Sequence, residues 1–274
     1  MKEIELEQVL PQEIEKRSFE IITEELGDVK LVPGTEPVVK RCIHTSADFD
    51  YAKNLVFSEG VIEHALKVLG SGATIVTDTQ MAMAGVNKRK LAALGCQIRC
   101  FMSDPDVAEE AKRRGVTRAV VSMEHAAKLP GPLIFAIGNA PTALVHLYEL
   151  VKSGAVKPEL IIGVPVGFVN VVPSKELILT LDDVPYIVAR GRKGGSNVAA
   201  AICIAVYDAG RTIEMNRDAC GFLQSHALSF YMLLTSVNTR LQLPVDKLYG
   251  ILYGKQKRKM LCCVHKKRNV SFSQ

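Results

Sequence analysis

Arg41 and His44 stand three residues apart in the segment KRCIHTSADFD, residues 40–50. On a helix that spacing puts a guanidinium and an imidazole on one face. An imidazole titrates near neutrality and can give a proton and take it back within one cycle. A guanidinium can hold a carboxylate through two parallel hydrogen bonds. The pair therefore suits acid–base chemistry on an acidic ligand, with a packed histidine beside a solvated arginine as the plainer alternative. A second segment, Gly191-Arg192-Lys193-Gly194-Gly195-Ser196, runs into a helical pattern. Its glycines permit close backbone approach and its two cations favour an anion. Lys193 and Ser196 stand on the wrong sides of the glycines for a Walker loop, and the spacing is not GxGxxG, so no nucleotide signature is present.

Four weaker features accompany these. Gly138-Asn139-Ala140-Pro141-Thr142 predicts a helix starting near Pro141, whose free N–H groups would suit a carboxylate or phosphate; an ordinary turn is the alternative. Gly163 to Phe168, with Gly167 inside it, is an apolar loop able to lie against a large flat ligand, or a simple turn. Thr77-Asp78-Thr79 ends an apolar run with polar groups, and the methionines that follow, Met81 and Met83, read as core filling. Thr117 can cap a helix that places Arg118 at its positive end, where a cation is disfavoured unless an anion is held beside it. His64, His125 and His146 fall on helical patterns and read as structural.

The elements that must position these residues follow one theme from Ala73 to Gly210. Short apolar runs at 73–77, 96–102, 133–137, 160–164 and 186–189 each end in a Gly- or Asp-containing loop, and a helical pattern follows. Asp104 and Pro105 open one such helix and Gly115 closes it; Ser174-Lys175-Glu176 can open another. Strands apolar on both faces that alternate with helices predict a parallel sheet with helices on both sides. Ligands of such sheets sit beyond the carboxyl ends of the strands, which is where the loops above lie. Upstream, Ile14, Ser18 and Ile21 fall at helical spacing, with Phe19, Ile22 and Leu26 extending an apolar stripe, so Ser18 sits on the buried side or its rim.

Composition bounds the class. The chain has 274 residues, 48% of them hydrophobic and 23% charged, which excludes a wholly disordered or low-complexity protein. Its formal net charge of +5 is unevenly spread. Residues 1–210 hold 23 basic and 26 acidic side chains, whereas residues 211–274 hold 11 and 3. The excess belongs to the last quarter, with its clusters KQKRKM (255–260) and HKKR (265–268) and the apolar stretch FLQSHALSFYMLL (222–234). The expected division is a main domain over 1–210 and a basic extension over 211–274. No run reaches the length of a membrane span, MKEIELEQVL has no secretory pattern, and the seven cysteines lack a framework or zinc spacing. A cytoplasmic protein with free thiols and no metal site is expected. Nucleic acid is not the expected partner.

KRSFEII, KRCIHTSADFD, TDTQMAMAGVNKR, SDP, IGNAPTAL, GVPVGFV followed by SK, and GRKGGSNVAAAI occur in this order. Together, over roughly residues 11–210, they closely resemble the precorrin-8X methylmutase family of cobalamin biosynthesis, in wording nearer to its cobalt-precorrin-8 members. The resemblance implies a three-layer, flavodoxin-like α/β fold and a homodimer with active sites near the subunit interface. It implies a shift of a methyl group from C-11 to C-12 of (cobalt-)precorrin-8, with no cofactor. The family's catalytic histidine falls on His44, its substrate-binding serine and arginine on Ser18 and Arg41, and a further arginine on Arg118. Thr79, Asn139, Gly167, Arg192, Lys193 and Ser196, on the strand-end loops, complete the set of expected substrate contacts. Two other readings stay open at this point: a non-catalytic corrinoid-binding or carrier protein on the same fold, and a nucleotide-binding α/β enzyme, against which the missing nucleotide signatures count.

Overall fold

The computed structural model describes residues 6–209. The apolar and basic segments noted beyond residue 210 lie outside the described residues. Two helices come first, α1 (Ile14–Leu26) and α2 (Glu36–Ser46), followed by the short α3 (Tyr51–Asn54), strand β1 (Leu55–Phe57) and α4 (Val61–Gly70). The alternating region then runs β2 (Thr74–Thr77), α5 (Gln80–Gly85), α6 (Lys88–Ala93), β3 (Gln97–Arg99), α7 (Pro105–Arg114), α8 (Arg118–Ala127), β4 (Leu133–Ile137), α9 (Pro141–Lys152), β5 (Leu160–Gly163), α10 (Val171–Leu179) and β6 (Tyr186–Ala189). A helical stretch, α11, covers 196–209.

All five expected strands are present. Their order in the sheet is β1-β6-β5-β4-β2-β3. The five strands β2 to β6 are parallel neighbours, and their order is the flavodoxin-like one, in which the chain reverses its direction of growth between its first and third parallel strands. Here that crevice lies between β2 and β4. The sheet is not wholly parallel. Strand β1, unforeseen because its three residues fall below the length at which a pattern can be read, joins the edge antiparallel to β6, with Leu55 opposite Ala189.

Alternation along the strands builds two apolar layers. Ile134 and Ala136 of β4 face a core that also takes Ile75, Ile162, Val39 and Ile43 of α2, and Ile202 of α11. Leu133, Phe135 and Ile137 face the other side, against Met123 of α8, Leu144 and Leu147 of α9, and Ile178 of α10. Both faces of the sheet are thus covered, the three-layer arrangement expected for strands without a polar face.

Local chemistry sets the helix ends. Thr79, Asn87 and Thr117 accept hydrogen bonds from Ala82, Lys90 and Val120 N–H, capping α5, α6 and α8. Asn87 thereby opens α6. Gly115 closes α7 in the left-handed conformation, at φ 65°. Helix α10 starts at Val171, one turn earlier than Ser174-Lys175-Glu176 suggests, after Asn170 at φ 56°. Ser174 and Lys175 are consequently interior and buried. On α1 the buried face is Ile22 and Leu26; Ile14 is exposed, and Ser18 lies half-buried at the rim.

Candidate active site

Four loops at the carboxyl edge of the sheet are joined by short contacts. Thr79, after β2, donates its hydroxyl to Ser196 Oγ at 2.8 Å, joining β2 to the start of α11. Gly138, after β4, lies so close to the same loop that a Cβ there would stand 2.7 Å from Gly195 O and from Ser196 Cα. Gly195 N–H donates to Val164 O at 2.9 Å, and Gly167 N–H to Arg192 O at 3.2 Å, which ties the loop after β5 to the loop after β6. Thr79, Gly167, Arg192 and Ser196 are therefore gathered at one edge.

The crevice between β2 and β4 contains a group that the motif reading passed over. Asp78 is fully buried, and its carboxylate accepts the N–H groups of Gly138, Asn139 and Ala140 at 2.8, 2.7 and 2.6 Å. Burial pushes its carboxyl above the usual range, opposed by those three donors. The N–H groups of the turn leading into α9 are thus engaged by a carboxylate from the protein rather than waiting for one from a ligand, and Asn139 is left with its side chain exposed and its backbone N–H occupied. The signal was present: an aspartate closing a strand that is otherwise apolar.

Apolar side chains border this edge. Phe168 is 81% exposed, Val169 79% and Val166 46%, all in the loop after β5; Met81, on the first turn of α5, is 70% exposed. Met81 is therefore not core filling. Arg192 lies over the Phe168 ring, its Cζ 5.3 Å from the centroid, and pairs with no carboxylate among the described residues. Arg118, exposed at the start of α8, reaches Met102 O at 3.5 Å on the β3 side. Two guanidiniums thus lie toward opposite ends of the edge.

The second half of the site is α1 and α2. Arg41 and His44 share a helix, as their spacing predicts. His44 is exposed and stacks on Phe19 of α1, with centroids 5.1 Å apart and rings inclined by 12°. The Arg41 guanidinium lies 4.7 Å from the same ring's centre. It also pairs with Glu15, whose carboxyl it holds below the usual range. Arg41 approaches Asp208 of α11 at 3.7 Å. Ser18, next to Phe19 on α1, donates its hydroxyl back one turn to Ile14 O at 2.9 Å. Cys42, between Arg41 and His44, is buried and its thiol is pushed up to about 12, so it is no nucleophile.

Lys193 joins the two halves. Expected to meet an acidic ligand, its ammonium is instead held at 2.6 Å by both Asp48 and Asp50, in the turn after α2. The three histidines read as structural have carboxylate partners: His64 with Glu159, His125 with Glu110, and His146 with Glu124 and Glu149. Among the described residues no cluster of three or more His, Cys, Asp or Glu could hold a metal ion, and no helix is long and apolar enough to cross a membrane.

The precorrin-8X methylmutase family model matches residues 13–209. The chain belongs to the precorrin-8X methylmutase family. It is 47% identical over 209 residues to the cobalt-precorrin-8 methylmutase of Priestia megaterium, a match covering 75% of this chain and 92% of that one. It is 38% identical over 192 residues to the precorrin-8X methylmutase of Pseudomonas aeruginosa, covering 69% and 91%. A crystal structure of the precorrin-8x methyl mutase of Thermus thermophilus superposes with a TM-score of 0.67 at 36% identity, covering 73% of this chain and 98% of that one. This methylmutase is accordingly an isomerase of cobalamin biosynthesis. Its shared fold puts His44, Arg41 and Ser18 on the two N-terminal helices and the remaining candidates, except Arg118 on the α8 side, on the loops after β2, β4, β5 and β6.

Proposed function

We propose that the protein moves a methyl group from C-11 to C-12 of (cobalt-)precorrin-8, giving (cobalt-)hydrogenobyrinate or cobyrinate, with His44 as proton donor and acceptor. The observation that carries this reading is the exposed imidazole stacked on Phe19 beside Arg41, in a chain matched by the family over 13–209. Protonation of the macrocycle near ring C creates the electron demand that draws the methyl group across. The C-11 bond breaks as the C-12 bond forms, and loss of the proton back to His44 closes the cycle with no net change in composition. Any cobalt travels as part of the substrate. The peripheral carboxylates suit Arg41, Arg118 and Arg192, and the apolar faces of the ring suit Met81, Val166, Phe168 and Val169. Ser18, Thr79, Asn139, Gly167 and Ser196 line or shape the same surfaces, while Lys193 acts by tying them together. Most of the acceleration then comes from orientation and from fixed dipoles around the protonated ring.

The protein acts as a cytoplasmic homodimer in this reading. The unpaired thiols of Cys42, Cys96, Cys100 and Cys203 fit a reducing compartment, and the exposed Val166, Phe168 and Val169 suit a covered face. Incubation with precorrin-8 and cobalt-precorrin-8 in parallel, followed by absorbance, tests the assignment. Conversion of one or both is expected; tight product binding with neither converted would instead mark a corrinoid carrier. Residues 1–210 form the catalytic domain in this proposal. A chain ending at Gly210 should therefore keep its turnover, and a large loss would show that residues 211–274 support the site.

A further inference from the structure

Lys175 is a lysine without solvent. It is 0% exposed, lies on α10 in register with Val171 and Ile178, and has no carboxylate partner among the described residues. Burying an ammonium in this way is costly unless its protons find acceptors, and an apolar side chain of similar length would fill the space without that cost. Its Nζ donates to Gly191 O and to Lys193 O, each at 2.8 Å. The carbonyl between them, that of Arg192, accepts Gly167 N–H. Three successive carbonyls of this loop are thus held by donors from α10 and from the loop after β5. Gly191, at φ 78°, supplies the backbone freedom this needs. Arg192 and Lys193 are left exposed. Lys193 goes to Asp48 and Asp50, and Arg192 keeps its guanidinium for a ligand above Phe168.

We propose that Lys175 is a positioning residue of this enzyme: from beneath the loop it fixes the backbone on both sides of Arg192 and so aims that guanidinium at a carboxylate of the tetrapyrrole. The inference rests on the reading of Arg192 as a substrate contact. Lys175 acts through Arg192 and does not touch the reacting atoms. Its loss therefore weakens binding of substrate and transition state alike, raising KM and leaving kcat in place.

The test is a double-mutant cycle on the full chain, read by steady-state turnover of whichever precorrin the wild type converts. Lys175→Met and Arg192→Ala are each expected to raise KM by about tenfold with kcat within about twofold, and the double variant is expected to be no worse than Arg192→Ala alone. Lys175→Arg, which keeps the donors, should recover part of the loss. Arg190, Arg192 and Lys193 are also trypsin sites, so Lys175→Met should speed cleavage in this loop, mapped by mass spectrometry, relative to cleavage after Arg118. Multiplicative KM effects in the double variant, or loop cleavage at the wild-type rate, would overturn the role of Lys175 while leaving Arg192 as a substrate contact. An unchanged KM for Arg192→Ala would overturn both assignments. If Lys175→Met does not fold, Lys175→Gln, with an amide donor in the same space, is judged by the same criteria.

Discussion

Replacing His44 by alanine is expected to slow the methyl shift by about 10²–10⁴-fold, the range in which a positioned acid–base group contributes, while the corrinoid still binds. Binding should survive because two of the three cations proposed to meet carboxylates sit on other elements, Arg118 at the start of α8 and Arg192 after β6, and Arg41 keeps its own place on α2. The fold should survive because His44 is exposed and its principal contact is one face of Phe19. The measurement is single-turnover absorbance beside a product titration monitored by the corrinoid spectrum. Normal turnover in His44→Ala would remove the proton-transfer role. Loss of binding with no separate effect on the chemical step would make His44 a substrate anchor instead.

Replacing Asp78 by alanine is expected to be the most damaging single change to stability. Its carboxylate holds three backbone N–H groups at the start of α9, all in buried or partly buried surroundings. Each orphaned donor costs about 1–3 kcal/mol, and the group stands at a helix N-terminus where negative charge is favoured. A loss of about 3–5 kcal/mol is expected, from a total that for a domain of this kind is about 5–15 kcal/mol. Asp78→Asn should cost roughly half as much, because its one oxygen can serve Asn139 and Ala140 while Gly138 goes unpaired. Urea unfolding of the three proteins checks the ranking. A stability for Asp78→Ala within about 1 kcal/mol of wild type would show that water replaces the carboxylate.

The parts of this molecule governed by local pattern could be read before folding. Continuous apolar runs marked β2 to β6, the Arg41–His44 spacing marked one helix face, and Thr117 marked a cap. What escaped depends on pairing across the chain. Three residues, Leu55 to Phe57, are too few to show a strand until β6 is beside them. Lys193 read as a ligand contact because Asp48 and Asp50 lie more than 140 positions away. The helix start at Pro141 read as a vacant anion site because Asp78 comes from another strand. Lys175 was the more legible miss, since Val171, Lys175 and Ile178 fall on one helical stripe and a cation on an apolar stripe needs an acceptor. Met81 went the opposite way. Its apolar character fitted a core, yet the turn after β2 points it outward.

The antiparallel join of β1 to β6 also ties the N-terminal helices to a strand more than a hundred residues further along the chain. The helices that carry Ser18, Arg41 and His44 leave the ribosome well before the strand that receives β1, and Lys193 follows that strand. Until then Asp48 and Asp50 have no lysine to meet, and α2 has no α11 beside it. These N-terminal residues thus wait for partners far along the chain, a non-local pairing of the kind that slows folding. A chain stopped before β6 holds Ser18, Arg41 and His44 and still lacks both the strand and the lysine that tie their helices to the rest of the proposed site.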